Sequence, residues 1–188
     1  DGFNINLDCG STAPTALQQE VLRVGADLGL ALDGDADRLV LVDAAGELVD
    51  GDEILGILAL ARQKAGTLGG GVVGTQMSNF GLEQALVRAG IPFERARVGD
   101  RYVMEQLRAR GWLLGGETSG HVLCLDRTTT GDGLVTALQV LSVLREQGRP
   151  LAEIKRFMHK YPQRLLNVRM TPGFDPDGSA TVRDAVGS

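Results

Sequence analysis

The run Asp33-Gly34-Asp35-Ala36-Asp37-Arg38 constrains this chain more than any other stretch. Its carboxylates repel: two unit charges ~5 Å apart at an effective dielectric of ~20 cost about 3 kcal/mol before solvent screening. Three such pairs destabilise a tight loop unless a cation sits among them, and carboxylate oxygens are the preferred ligands of hard ions such as Mg2+ and Ca2+. Gly34 and Ala36 leave the backbone room to curl so that all three side chains converge. The flanks, Ala26 to Leu32 and Leu39 to Val42, are apolar runs, so the loop is expected to join two buried strands at a sheet edge. An EF-hand is excluded, because its sixth and twelfth loop positions need Gly and a bidentate acid and here hold Arg38 and Ala44. A solvated acidic turn is the competing reading.

The remaining totals bound the function classes. The 188 residues make room for one large domain or parts of two, and 43% hydrophobic content can bury a proper core. A net charge of -5 argues against nucleic acid or an anionic membrane as the main partner, while leaving room for a local basic pocket. No stretch approaches the ~20 apolar residues of a membrane span. The two cysteines, Cys9 and Cys124, have neither metal-ligand nor redox spacing, so reduced thiols in a cytoplasmic protein are expected. The first residue is Asp1 rather than Met, and the expectation is a piece of a longer protein.

Read in order, the chain predicts a short strand over 1–6, a helix from Pro14 to Val24 capped by Ser11 or Thr12, and the strand before the acidic loop. Asp50 or Asp52 is expected to cap a helix reaching Lys64. Gly69-Gly70-Gly71-Val72-Val73-Gly74 matches G-x-G-x-x-G as a bare pattern, but its glycines precede the strand Val72 to Met77, so they read as a turn and not as a dinucleotide site. Helices are then predicted over 81–89, 101–110, 132–147 (capped by Thr130) and 151–160. Strands are predicted over 92–98, 112–115, 121–126 and 164–170, with a linker from Thr171. This alternation implies an α/β fold in which helices cover a mixed sheet, with boundaries near 43–51 and 161–162.

Three other stretches carry chemical side chains. Gly116-Glu117-Thr118-Ser119-Gly120-His121 sets an acid, hydroxyls and an imidazole in a glycine-bounded loop, the equipment for gripping a sugar; a plain polar hairpin is the alternative. It is no serine-hydrolase elbow, which would need Gly at 117. Arg95, Arg97 and Arg101 surround a strand-to-helix turn, a phosphate site or surface charge balanced by Glu94 and Asp100. Thr128-Thr129-Thr130-Gly131-Asp132-Gly133 reads mainly as a cap and turn.

In this order, together with Val98-Gly99-Asp100-Arg101-Tyr102-Val103 and Cys9-Gly10-Ser11-Thr12, these stretches resemble the α-D-phosphohexomutases, and most closely their bacterial hexosamine branch. That resemblance implies four domains around one cleft: 1–48 would end the second domain, 49–163 would be the third, and 164–188 a linker and the start of the fourth. It further implies Asp33, Asp35 and Asp37 as Mg2+ ligands and Arg38 as the holder of a phosphoryl group. Glu117 and Ser119 would take sugar hydroxyls with His121 close by, and Arg97 stands where relatives commonly carry Lys.

The implied reaction interconverts glucosamine 6-phosphate and glucosamine 1-phosphate through a phosphoserine and a bisphosphate, as a step toward cell-wall precursors. The phosphoserine would lie in the remaining domains, so the piece alone would be inactive. Glucose or mannose phosphates are alternative substrates. A non-catalytic module binding metal and sugar phosphate is a second reading. A haloacid-dehalogenase-like phosphatase ranks below both, since no Lys lies between Arg38 and Lys64.

Overall fold

The computed structural model describes residues 2–164 and 166–187. Helix α1 (Thr15–Val24) leads into an antiparallel sheet of β1 (Leu28–Leu32), β2 (Leu39–Asp43) and β3 (Leu48–Val49). In the β1–β2 hairpin, Leu32 pairs with Leu39 as the last rung, so residues 33–38 form the connecting loop, as the apolar flanks imply.

Helix α2 (Gly51–Ala65) starts in a capping box. Asp50 Oδ1 accepts from the N–H groups of Asp52 and Glu53, while Glu53 accepts from Asp50 N–H. Of the two expected caps, Asp50 is the cap and Asp52 lies inside the first turn. Then follow β4 (Val72–Thr75), α3 (Phe80–Arg88), β5 (Phe93–Ala96), α4 (Asp100–Arg110), β6 (Leu114–Gly116), β7 (Val122–Cys124), α5 (Gly133–Gln147), α6 (Leu151–Ile154) and α7 (Ala180–Gly187).

The second sheet runs β5-β4-β6-β7, with β4 parallel to both neighbours and β7 antiparallel to β6. The mixed sheet covered by helices is therefore the observed architecture. Successive parallel strands β5 and β6 lie on opposite sides of β4. The order reverses there, and in open sheets of this kind ligands bind outside the carboxyl ends of the strands at such a point. One hydrophobic core joins both sheets: Leu39, Leu41 and Val49 pack with Ile54, Leu55 and Leu58 of α2, Leu114 of β6 and Val140 of α5.

Several expectations are corrected. Residues 2–6 are turns and bends, since no strand lies beside them to complete a ladder, and Asp1 is outside the described residues. Helix α1 begins after Pro14 with no side-chain cap from Ser11 or Thr12. Helix α5 is capped by Asp132, not Thr130, because the Asp132 carboxylate accepts from Val135 N–H at 2.9 Å. The helix expected over 151–160 stops at Ile154 and continues only as a 3-10 turn, Lys155–Phe157. No strand forms at 164 or 166–170 (Leu165 is outside the described residues), and the expected linker contains α7.

Candidate metal and sugar site

The loop between β1 and β2 curls because Ala36 adopts φ 61°, an uncommon conformation for a residue with a side chain, and its N–H donates to Asp33 O at 3.2 Å. Each of Asp33, Asp35 and Asp37 thereby offers an oxygen within 4.8 Å of the others. Arg38 folds back over this cluster, its Nε 3.7 Å from Asp33 and 3.9 Å from Asp37, while its backbone N–H donates to Asp33 Oδ1. Burial, and then the Asp33 and Asp35 carboxylates, push the Asp37 carboxyl up, against the pull of His121 and Arg38. A divalent cation would reverse that bias by making the charged carboxylate the favoured form. Three hard, converging oxygens fit Mg2+ or Ca2+, and no nitrogen or sulfur ligand is among them.

The Gly116–His121 loop comes to this cluster through backbone bonds. Arg38 and His121 form an isolated antiparallel bridge, and Leu39 N–H donates to Gly120 O at 3.1 Å. Gly120 sits at φ 96°, and a Cβ there would run into the Leu39 backbone, so only glycine permits the approach. A third segment closes on both loops: Gly133 N–H donates to Ala36 O at 2.9 Å, and Gly131 lies flat against the His121 ring.

His121 itself is 4% exposed, and its Nδ1 lies 3.0 Å from Asp37 Oδ2. It supports a member of the acidic cluster and is shut away from solvent. Glu117 Oε1 accepts from Gly99 N–H at 2.7 Å, which ties the loop to the turn between β5 and α4. Ser119 is exposed. Arg97 is also exposed and stacks on Tyr102, 3.8 Å from the ring centroid, beside that turn.

The arrangement thus sets a cluster of three converging carboxylates and an arginine against a loop that carries an acid, two hydroxyls and an imidazole, beyond the carboxyl end of β6. Sequence reasoning did not join Asp52 to Thr118 of this loop; their contact spans 66 residues of chain and leaves no local signal.

Residues 50–161 match the family model described as phosphoglucomutase/phosphomannomutase, alpha/beta/alpha domain III. The chain belongs to this family. Its phosphoglucomutase/phosphomannomutase domain is accompanied by close similarity along most of the chain. A phosphoglucosamine mutase from Thioalkalivibrio sulfidiphilus is 62% identical over 189 residues, covering 99% of this chain and 42% of that protein. The chain therefore spans less than half the length of that relative. Among solved structures, a phosphoglucomutase/phosphomannomutase family protein from Burkholderia thailandensis aligns with TM-score 0.68 at 27% identity, over 77% of this chain and 31% of that one. The N-acetylphosphoglucosamine mutase of Aspergillus fumigatus shares the fold, with TM-score 0.67 at 21% identity over 86% of this chain and 39% of that one. Among the described residues no helix is long and apolar enough to cross a membrane.

Proposed function

We propose that this chain is the central part of a phosphosugar mutase acting on glucosamine phosphates, exchanging 6-phosphate and 1-phosphate through a phosphoserine and a bisphosphate intermediate. Asp33, Asp35 and Asp37 are the ligands of Mg2+, which supplies charge neutralisation to the transferring phosphoryl group. Arg38, resting on the acids, is free to swing onto that group because its side chain is 44% exposed. Glu117 and Ser119 take sugar hydroxyls, and Arg97 serves the phosphate end from the rim of the crevice. His121 acts through Asp37, holding one oxygen so that the other points into the cluster.

A sugar that binds in two orientations suits a loop that reads hydroxyls common to both. The phosphoserine, and the rest of the cleft, belong to the remaining domains of the protein, so the piece alone is inactive. The reaction belongs in the cytoplasm, feeding amino-sugar precursors of the cell wall.

One observation carries this reading: the cluster-bearing hairpin and the Glu117 loop are clamped backbone to backbone, through Leu39 N–H to Gly120 O and the Arg38–His121 bridge. A solvated acidic turn would have no reason to be fixed to a second polar loop. The test is a mutase assay on the full-length protein with glucosamine, glucose and mannose phosphates in parallel, repeated for Asp35→Asn. Glucosamine phosphate should be turned over fastest, and Asp35→Asn should lose Mg2+-dependent turnover while keeping its circular dichroism spectrum. Normal turnover in the variant would refute the metal assignment, and preference for glucose or mannose phosphate would refute the substrate.

A further inference from the structure

Asp52 is a carboxylate that the reading above leaves without a task. It lies in the first turn of α2, fully buried, whereas the buried acids Asp43 and Glu53 each face a lysine. Among the described residues no lysine, arginine or histidine pairs with Asp52. Instead its Oδ2 accepts from two directions: the backbone N–H of Asn79 at 2.7 Å and the hydroxyl of Thr118 at 2.9 Å. Burial pushes its carboxyl up, and the Asp50 charge adds to that, against the bonds from Asn79 and Thr118. An acid held this way is destabilising in itself, since a buried carboxylate needs partners that offset its lost hydration.

The partners explain the position. Thr118 is the residue between Glu117 and Ser119. Its carbonyl oxygen accepts from Gly51 N–H at 3.1 Å, so helix α2 grips it both by backbone and by side chain. Thr118 also reaches Met77 O at 3.3 Å, in the segment after β4. Asn79 holds the chain leaving the domain: its Oδ1 accepts from Tyr161 N–H at 3.0 Å, and its Nδ2 donates to Tyr161 O at 2.7 Å. Asp52 is thus the point where the loop and the exit segment meet.

We propose that Asp52 is a positioning residue for sugar-phosphate binding, holding Thr118 so that Glu117 and Ser119 on either side are presented to the sugar. The claim rests on the reading of the Glu117 loop as the sugar-gripping element. Asp52 touches no reacting atom; it removes from Thr118, and so from its neighbours, the freedom to turn away. The hydroxyl of Thr118 is required, and a methyl in its place leaves Asp52 short of a partner and the loop tethered by backbone alone.

The experiment uses the full-length protein, with glucosamine 6-phosphate as the calorimetric probe and a parallel Mg2+ titration. Thr118→Val is close in shape and lacks only the donor; Thr118→Ser keeps it. Thr118→Val should raise Kd and KM for the sugar phosphate about tenfold, the size of one lost bond to a charged acceptor, with kcat changed less. Mg2+ affinity should stay put, and Thr118→Ser should return most of the loss. Asp52→Asn should weaken sugar binding too, and combining it with Thr118→Val should add nothing further, because both remove one interaction.

Wild-type affinity in Thr118→Val, failure of Thr118→Ser to rescue, or simple additivity of the two changes would overturn the proposal. If Asp52→Asn does not fold, the two Thr118 variants decide alone. Glu117→Ala separates this claim from the one beneath it. If Glu117→Ala leaves binding intact, the loop is not the sugar grip and both fail. If it weakens binding while Thr118→Val does not, only the role of Asp52 falls.

Discussion

Replacing Gly51 by Ala tests whether α2 carries the Glu117 loop. Gly51 is the first residue of the helix, and there Ala is ordinarily the better residue by about 0.5–1 kcal/mol. The structure reverses that expectation. A Cβ at 51 would stand 2.6 Å from Gly120 N and 2.9 Å from Gly120 Cα, and closer still to the carbonyl oxygen of Glu117. All three are backbone atoms, so no side chain can rotate out of the way. Ordinary contact begins at 3.4 Å, so the loop must retreat by about 0.8 Å at Gly120 (3.4 less 2.6) and by more at Glu117.

That retreat stretches Gly51 N–H to Thr118 O and Leu39 N–H to Gly120 O, each 3.1 Å at rest, past the hydrogen-bond range. Two bonds at about 1 kcal/mol each, less the helical gain, leave a net loss of about 1–1.5 kcal/mol. The functional effect is larger, because a displacement of about 1 Å at a binding group can cost on the order of 100-fold in kcat/KM.

The assay is mutase activity of the full-length protein with a parallel thermal melt. Gly56→Ala serves as control in the same helix, where the new methyl would press on the Phe157 ring and Leu82, far from the loop. The expected result is a fall of ~100-fold in kcat/KM for Gly51→Ala, and a change in stability without a comparable loss of turnover for Gly56→Ala. Gly51→Ala within twofold of wild type would refute the argument that this helix start fixes the loop.

Two more perturbations probe the scaffold. Lys155 Nζ lies 2.7 Å from Asp43, which is 1% exposed; burial pushes the Asp43 carboxyl up, but Lys155 and the N–H groups of Glu47 and Ala45 bring it below its ordinary value. Lys155→Met should therefore cost about 3 kcal/mol in denaturant titrations at pH 7. A lowered folded-state pKa gives stability that is present above the unfolded value of about 3.9 and is lost as pH falls through the folded one, so the gap between variant and wild type should narrow below about pH 4. A gap that stays constant down to pH 2 would discount the pair. Asp132→Ala removes the cap of α5, which should cost about 1 kcal/mol and speed amide exchange at 133–136. Since Gly133 N–H holds Ala36 O, Mg2+ affinity should fall with it, and unchanged affinity would show that the acidic loop stands without this support.

What could be read from the chain and what could not divide along a physical line. The acidic triplet stood out because like charges at alternate positions between apolar runs are costly without a counter-ion, and the hairpin that carries them follows from those runs. The helix caps at Asp50 and the α/β alternation are equally local. Leu166, Val168 and Met170 alternate as a strand would, yet all three are exposed, because a ladder needs a neighbouring strand and none pairs with them among the described residues. His121 read as an imidazole near a sugar; only folding shows Gly131 covering its ring and Asp37 taking its nitrogen. Asp52 read as one of two interchangeable caps, and nothing near it in sequence announces Thr118.

The bonds between Leu39 and Gly120, and between Gly133 and Ala36, make the three loops one solid piece of masonry on a shared core. For one of these loops to shift alone, a backbone bond would have to break. Under the proposed reading, whatever closes over the sugar must therefore do the moving, arriving at a fixed wall and swinging back to release what it covered.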